Sequence, residues 1–289
     1  MSIQKWLDKN TTSLEGKTVA VNGATGGIGR HLCAHLASIG ASLVLLDRNK
    51  TRSEALAKEL SAECPELCIR HVYADLESIE DVKKAADELI AMDIDHLILN
   101  AGAYHIPRHL CGTGYENVYQ INFISPYYLA RTLAPHISQK NGRIVAVGSI
   151  AHNYSKIDER DVDFRTRKKS SLVYGNAKRY LTYSLFDIEH SECVCITHPG
   201  ITFTNITAHY PKLIFALIKH PMKVIFMRPR KAALCVLYGL FADVPNGHWA
   251  GPRIFGVWGY PSVKKLDTST PDEKRDICNI ANQIYDKLK

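Results

Sequence analysis

The stretch KTVAVNGATGGIG, residues 17–29, decides the fold that this sequence predicts. Its first half is apolar and rich in valine, as in a buried strand, and helical periodicity begins soon afterwards in HLCAHLASIG, residues 31–40. In the turn between them, Gly23, Gly27 and Gly29 have the spacing G-x-x-x-G-x-G. Glycine permits a tight turn and lets the backbone approach a pyrophosphate at the N-terminus of the following helix. A glycine-rich turn in this position predicts a dinucleotide site.

Strand-like runs alternate with helical patterns over the rest of the chain. Helices are expected at 52–60, after Ser78, which forms a capping-box-like signature with Asp81, and at 121–137. Further strands are expected at 42–47, 68–75, 95–102, 143–148, 193–197 and 253–259. Because these runs are continuously apolar, they resemble strands of a parallel sheet that is covered on both faces. The pattern predicts an α/β fold with one domain over residues 1–289. This domain is a Rossmann-type doubly wound parallel sheet of about seven strands, flanked by helices on both faces.

The second strand ends in Asp47, about 20 residues beyond the glycine-rich turn. An acid there can accept hydrogen bonds from the adenosine ribose and repel a 2′-phosphate, which favours NAD. The neighbouring Arg48, or Arg30 after the last glycine, could instead hold that phosphate, so NADP stays open. We expect NAD, with Arg48 facing solvent.

Two further strand ends carry residues suited to such a cofactor. Asp75 ends the third strand and could meet an adenine amino group, and Asn100-Ala101-Gly102 ends the fourth. Ligands of such sheets bind at the carboxyl edge of the strands, where small residues let a cofactor lie close to the backbone.

The composition argues against several other classes of protein. With 46% hydrophobic and 22% charged residues the chain is ordinary globular protein, and it has no uninterrupted apolar run of about 18 residues that would span a membrane. The net charge of +7 is spread along the chain. Its densest basic run, residues 165–170, has no aromatic platform beside it, so we expect a solvated loop and no nucleic-acid partner.

The eight cysteines form no recognisable metal-binding pattern, so no metal is expected. Cys193 and Cys195 lie in an apolar run, where cysteine acts as a small hydrophobe. The N-terminal residues lack the apolar run of a secretory signal. Free thiols in a reducing, cytoplasmic environment are therefore expected.

Tyr174 and Lys178 stand four residues apart in YGNAK, so on a helix they would lie on one face, one turn apart. A phenol with a pKa of about 10 is a weak acid at neutral pH, and a nearby ammonium group would lower that pKa. By itself the pair could equally belong to an ordinary surface helix. The surrounding motifs decide between the two.

With those motifs the chain resembles a classical short-chain dehydrogenase/reductase. The matching segments follow the family order from residue 17 to about 260: NGATGGIG, Asp75-Leu76, LNAG at 99–102, Asn122 in YQINF, Gly148-Ser149, YGNAK at 174–178 and HPGITFT at 198–204. The resemblance implies a catalytic tetrad of Asn122, Ser149, Tyr174 and Lys178.

The resemblance also implies a role for each member. Tyr174 would exchange a proton with the substrate oxygen, and Ser149 would orient that oxygen. Lys178 would bind the nicotinamide ribose, and Asn122 would hold a water molecule of a proton relay. The full set of residues expected at the cofactor is Gly23, Thr25, Gly27, Ile28, Gly29, Asp47, Arg48, Asp75, Leu76, Asn100, Ala101, Gly102, Tyr174, Lys178, Pro199, Gly200, Thr202 and Thr204.

The sequence departs from the family pattern in two places. Asn22 stands where the family usually has threonine, and an asparagine can still form hydrogen bonds within the turn. Ser149 and Tyr174 are 25 positions apart, more than in many members, and the polar loop at 150–173 resembles the retinol dehydrogenase-like subgroup. This favours a lipophilic substrate of small to medium size.

Residues 205–227 stand where family members carry a lid over the substrate. Their apolar side chains could line a pocket or pack into the core. With Lys212, Lys219 and Lys223 the segment could instead rest on a membrane surface, which we do not favour.

The leading hypothesis is an NAD(P)-dependent oxidoreductase that interconverts an alcohol and its carbonyl partner. The alternative is a nicotinamide-binding redox sensor or scaffold without turnover, which would need neither Ser149 nor Tyr174. By analogy with the family, residues 113–138 and 172–189 could pair copies into a homodimer or homotetramer. Structural or solvent-facing roles are expected for His105, His109, His152 and His220.

Overall fold

The computed structural model describes residues 1–202 and 226–289. In these ranges eight strands form one sheet in the order β3-β2-β1-β4-β5-β6-β7-β8, and only the β7–β8 pair is antiparallel. The strands are β1 (Thr18–Asn22), β2 (Ser42–Asp47), β3 (Ile69–Tyr73), β4 (His96–Leu99), β5 (Arg143–Val147), β6 (Val194–Thr197), β7 (His248–Ile254) and β8 (Trp258–Lys265). The strand order reverses between β1 and β4, which creates the crevice where ligands of doubly wound sheets bind.

Helices cover both faces of the sheet, as the sequence predicted. They are α1 (Ile3–Asn10), α2 (Gly29–Ser38), α3 (Lys50–Glu63), α4 (Ile79–Ala91), α5 (Asn117–Tyr119), α6 (Ser125–Gln139), α7 (Ser170–Ser184), α8 (Pro229–Phe241) and α9 (Pro271–Leu288). Ser78 caps α4 by accepting a hydrogen bond from the Asp81 amide at 3.2 Å. Among the helices described, none combines the length and the apolar character that crossing a membrane requires.

Successive residues of each central strand enter two different hydrophobic cores. In β1, Ala20 packs on the side of α4, α6 and α7, whereas Val19 and Val21 pack on the side of α2 and α8. Full burial of one such aliphatic side chain contributes roughly 1.5–3 kcal/mol. Both faces are therefore apolar, which explains the continuous hydrophobic runs in the sequence. The prediction for the cysteine-containing strand also holds, because Cys193 and Cys195 are buried.

The prediction of a single strand at residues 253–259 was wrong. β7 begins earlier, and the chain reverses between Ile254 and Val257, where the Val257 amide donates to the Ile254 carbonyl at 2.9 Å. An apolar run in a hairpin turn has the same pattern as a short buried strand, so periodicity cannot separate them. The sheet consequently has eight strands and an antiparallel edge.

The C-terminal helix α9 packs against both α6 and α7. Asn282 accepts hydrogen bonds from Tyr127 at 3.1 Å and from Arg131 at 2.7 Å, and the Arg131 guanidinium lies 4.1 Å from the centre of the Tyr285 ring. These contacts occupy part of the surface through which the sequence predicted pairing between copies. Oligomerisation stays a prediction.

A buried ion pair fastens α9 to α7. Arg179 is 2% exposed; its Nε donates to Glu273 Oε1 at 2.8 Å and its Nη2 to Oε2 at 2.5 Å. Its Nη1 donates to the carbonyl of His152 at 2.9 Å. The guanidinium therefore ties the helix that carries Tyr174 and Lys178 to the turn that follows Ser149.

We expect Arg179→Met to lower the free energy of unfolding by about 3–5 kcal/mol, because it leaves the Glu273 carboxylate buried without its partner. Urea denaturation measures this change. The matched control is Arg275→Met in α9, which breaks an exposed pair with Asp272 and should cost less than about 1 kcal/mol. Equal stabilities of the two variants would contradict a stabilising role for the buried pair of Arg179 and Glu273.

Candidate functional site

The glycine-rich turn lies between β1 and α2 and packs tightly against the residues that follow β4. Gly23 has a φ of +69°, and a Cβ built on it would lie 2.9 Å from Ala101 Cβ. A Cβ on Gly29 would collide with the Gly23 carbonyl oxygen. Asn22 and Asn100 hold the same junction, because Asn22 Oδ1 accepts from the Ala101 amide at 2.9 Å and Asn100 Nδ2 donates to the Gly23 carbonyl at 3.1 Å.

A cavity of about 370 Å³ opens beside this turn, at the ends of β2, β3 and β4. Of the residues predicted at the cofactor, those that line it are Gly23, Thr25, Gly27, Ile28, Asp47, Arg48, Asp75, Leu76, Asn100, Ala101 and Gly102. Gly29 does not line the cavity, because it lies under the turn against Gly23. The structure thus brings most of the predicted cofactor residues to one place.

Asp47 presents an unused hydrogen-bond acceptor beside this cavity. Its Oδ1 accepts from the Thr25 amide at 3.2 Å and from the Thr25 hydroxyl at 2.9 Å. Its Oδ2 is buried and accepts no hydrogen bond from the residues described. Burial raises the pKa of Asp47 to about 6, and the Thr25 hydrogen bonds oppose that rise. A buried acceptor at the end of β2 fits a hydroxyl donor such as an adenosine ribose.

Two arginines line the cavity beside Asp47, and only one of them was predicted from the sequence. Arg52 lines the cavity together with Arg48, and Asn49, which caps α3, lies between them in the chain. Their i, i+4 spacing at the start of a helix was the available signal. Arg30, by contrast, pairs with Glu59 at 2.6 Å, so its proposed contact with a phosphate gains no support.

Tyr174 and Lys178 lie one turn apart in α7, as predicted. Lys178 Nζ is 5.9 Å from the centre of the Tyr174 ring and donates to the Val147 carbonyl at 2.8 Å. Ser149, directly after β5, accepts a hydrogen bond from the Ala151 amide at 3.2 Å and lies close enough to Tyr174 to lower the pKa of that phenol. Three of the four predicted catalytic side chains therefore meet at the ends of β5 and α7.

Burial moves the pKa values of both Tyr174 and Lys178. Burial raises the pKa of Tyr174 to about 12, and the Ser149 hydroxyl only partly opposes this rise. Burial lowers the pKa of Lys178 to about 7. Lost hydration dominates the pKa of both groups, and Lys178 donates to a carbonyl, so an effect of the lysine charge on the pKa of Tyr174 stays a prediction.

Asn122 lies in a π-helical turn, Gln120–Ile124, between α5 and α6. Its Nδ2 donates to the carbonyls of Ala103 and Val118, both at 2.8 Å, and its Oδ1 accepts from the Ala103 amide at 3.2 Å. The side chain therefore fixes the loop after β4. Single π turns are frequent at functional sites, but the role of Asn122 in a water relay stays a prediction.

Of the predicted residues after β6, the three that the structure describes, Pro199, Gly200 and Thr202, do not line the cavity. Gly200 adopts a φ of +81°, and Thr202 forms an isolated bridge with Met227. Contacts of Pro199, Gly200 and Thr202 with a cofactor stay predictions. Thr204 and most of the predicted lid, 205–227, lie outside the described residues.

Histidines and arginines of the neighbouring loops have structural partners. His152 is buried, with Nδ1 2.6 Å from the Ser149 carbonyl oxygen. In the basic run, Arg165 pairs with Asp163 at 2.8 Å and Arg167 with Asp158 at 2.7 Å. Glu77, His109 and Cys111 offer ligand atoms within 4.8 Å of one another, a cluster that the sequence did not predict because Glu77 comes from a different loop from the other two. His109 Nε2 and Glu77 Oε2 are already hydrogen-bonded at 2.8 Å.

Comparison with known proteins gives a consistent assignment. The chain matches the family model described as short chain dehydrogenase over residues 17–158. It is 28% identical to mouse retinol dehydrogenase 14, over 92% of this chain and 86% of that protein.

Solved structures agree with the fold. An uncharacterized protein from Mycobacterium paratuberculosis superposes with a TM-score of 0.73 at 23% identity, over 97% of this chain and 96% of that one. A short-chain dehydrogenase from Sphingobium yanoikuyae in complex with NADPH has a TM-score of 0.54 at 27% identity, over 66% of this chain and 74% of that one.

The raised pKa of Asp47 predicts a pH-dependent effect of Asp47→Asn on stability. The folded chain keeps this proton up to about pH 6, whereas an unfolded carboxyl releases it near pH 4, so wild-type stability falls as the pH rises through this window. The variant lacks this loss and should gain about 2 kcal/mol over the wild type between pH 4 and pH 7. Urea unfolding at several pH values measures it. Asp267→Asn, at an exposed site, is the control. If the free energies of unfolding of the wild type and of Asp47→Asn changed equally with pH, the assignment of a raised pKa to a buried Asp47 would be refuted.

Proposed function

The chain belongs to the short-chain dehydrogenase/reductase family, whose NAD(P)-dependent enzymes act on alcohol and carbonyl groups, and we propose that its substrate is a lipophilic alcohol or the corresponding carbonyl compound. The observation that carries this proposal is the placement of the Tyr174 phenol beside the Ser149 hydroxyl in an apolar setting, where that hydroxyl opposes the rise in the pKa of Tyr174. A hydroxyl pair of this kind can hold one substrate oxygen between two donors.

The apolar setting is built by residues on three segments. The Tyr104 ring meets the Tyr174 ring edge to face, with centroids 5.4 Å apart. Tyr174, Ile106 and Leu172 pack against a buried cluster of Val118, Phe164 and Val173. Relatives named retinol dehydrogenases add support for a lipophilic substrate of small to medium size.

We assign the proton transfer to Tyr174. A phenol with a pKa of about 12 is neutral at physiological pH, which is the form that donates a proton to a carbonyl oxygen. Ser149 would orient that oxygen through its hydroxyl. A bound nicotinamide cofactor supplies or accepts the hydride.

Lys178 would act through its charge. With a pKa of about 7 it is partly protonated at neutral pH, and the protonated form would stabilise the phenolate that Tyr174 becomes as it gives up its proton. Asn122 would act as a positioning residue by holding the loop after β4 in place. We place Pro199, Gly200, Thr202 and Thr204 at the nicotinamide end of the cofactor.

For the cofactor we propose NAD rather than NADP. Asp47 Oδ2 is a buried acceptor without a partner among the described residues, which suits a ribose hydroxyl and repels a 2′-phosphate. Arg48 and Arg52 oppose this preference, because both line the cavity and could pair with a phosphate.

Tyr174→Phe should lower turnover at least about 1,000-fold and leave cofactor affinity measurable, because only the proton donor is lost. Purified protein is assayed with NAD and NADP, in both redox states, on a panel of hydrophobic alcohols, aldehydes and ketones. Tyr180→Phe is the matched control, since Tyr180 lies in the same helix within a buried aromatic cluster, and it should keep near wild-type turnover.

Wild-type turnover by Tyr174→Phe would overturn the proton-transfer assignment. Tight cofactor binding with no turnover by the wild type on the whole panel would instead favour the redox sensor.

Asp47→Ala should weaken NAD binding about tenfold or more and strengthen NADP binding, because a ribose acceptor and a phosphate-repelling charge are removed together. Dissociation constants for both cofactors, measured by calorimetry, give the selectivity. Arg52→Ala is the companion variant and should weaken NADP more than NAD. Tighter binding of NADP than of NAD by the wild type would refute the proposed preference.

A further inference from the structure

The turn between β7 and β8 exposes large apolar side chains together. Phe255 is 92% exposed, Ile254 is 47% exposed and Trp258 is 43% exposed. We call residues 254–258 the hairpin tip. Exposed apolar side chains are ordinary when scattered, whereas a group of them on one protruding feature indicates an interaction site.

Phe255 also occupies an unfavourable backbone position. It has a φ of +51°, and Gly256 after it has a φ of +70°. Two central residues of positive φ are typical of the type I′ hairpin turn, in which asparagine or glycine is preferred at the first of these positions. Phenylalanine there carries a steric cost in the backbone and an exposed ring. Neither turn geometry nor folding stability accounts for it.

The surroundings of the hairpin tip are positively charged. Residues 226–264 contain five lysines and arginines and a single acid, Asp243, whereas Lys265 pairs with Asp267 at 3.5 Å. Lys231 Nζ lies 4.2 Å from the centre of the Trp258 ring, so a cation sits directly against the exposed aromatic group. Arg228, Arg230 and Arg253 are exposed, and Arg253 directly precedes the hairpin tip. Exposed apolar side chains with basic residues around them complement a surface in which negative charges cover an apolar layer.

The hairpin tip adjoins the catalytic residues. A Cβ on Gly256 would lie 3.8 Å from Ile150 Cγ2, and Ile150 follows Ser149 directly. A Cβ on Gly200 would lie 2.6 Å from the Val257 carbonyl oxygen, so the segment after β6 packs against the same turn. The tip is therefore on the flank of the cleft where the substrate oxygen would be held.

We propose that the hairpin tip inserts into the surface of an anionic phospholipid bilayer. Phe255 and Ile254 enter the boundary between headgroups and acyl chains, Trp258 lies at the headgroup level, and the basic residues bind lipid phosphates. This contact differs from the one considered for residues 205–227 and does not depend on the proposed reaction.

Tryptophan fluorescence of the full chain tests this contact without cofactor or substrate. The chain has three tryptophans, of which Trp6 and Trp249 are 2% and 7% exposed, so a blue shift on lipid binding would report Trp258. Vesicles of phosphatidylcholine with phosphatidylserine should give the shift and sediment the protein, and added salt should weaken both effects. Phosphatidylcholine vesicles alone should bind less. Trp258→Phe should lose the shift but still sediment.

Phe255→Asn separates lipid binding from folding. It should weaken sedimentation with anionic vesicles about tenfold or more, because a phenyl ring no longer enters the bilayer. It should also raise the Tm by about 2 °C, because asparagine tolerates the positive φ. Leu110→Asn, at a 55% exposed site in the loop before α5, is the matched control and should bind vesicles as the wild type does.

Three results would overturn the proposal. The first is a wild type that does not bind anionic vesicles, and the second is a Phe255→Asn variant that binds them equally well. The third is a dimer that light scattering detects and that depends on Phe255, in a protein that does not bind vesicles. The hairpin tip would then be a dimer contact.

Discussion

The close approach of two backbone segments, the turn after β1 and the residues after β4, is the constraint on which the rest of the site depends. Gly23 faces Ala101, and a Cβ on Gly102 would lie 2.8 Å from Asn122 Oδ1 and 3.7 Å from Lys178 Nζ. Residues 101–102 are thus enclosed by the glycine-rich turn on one side and by Asn122 and Lys178 on the other. Any added bulk there would separate the cavity beside that turn from Asn122 and Lys178.

The ionisable groups of the site lie in environments that disfavour their charged forms, whereas a buried ion pair outside the site has all its hydrogen bonds. Burial raises the pKa values of Asp47 and Tyr174 and lowers that of Lys178, and each shift favours the neutral form of the side chain. Groups with shifted pKa values concentrate at functional sites, where the charge of a bound ligand can stabilise their ionised forms. The buried pair of Arg179 and Glu273 is different, because each partner is satisfied and it holds the catalytic helix in position.

The sequence predicts the cofactor half of the molecule well and the substrate half poorly, for a physical reason. Gly23, Asn100 and the apolar strands act through backbone geometry and continuous burial, and both leave periodic or positional patterns. The hairpin tip leaves no such pattern, because an apolar turn resembles a short strand. Arg52 and the pKa of Tyr174 depend on which groups meet in space, and a linear pattern of residue types does not record that.

The substrate half also draws on segments that are far apart in the sequence. Tyr104, after β4, meets the Tyr174 ring, Ile150 follows Ser149 directly, and Gly256 of the β7–β8 hairpin lies beside Ile150. Specificity built in this way can change without altering the fold or the proton chemistry. A hairpin tip in a lipid surface would place that surface on the flank of Ser149, so an apolar substrate would pass from lipid to the catalytic hydroxyl groups with little exposure to water.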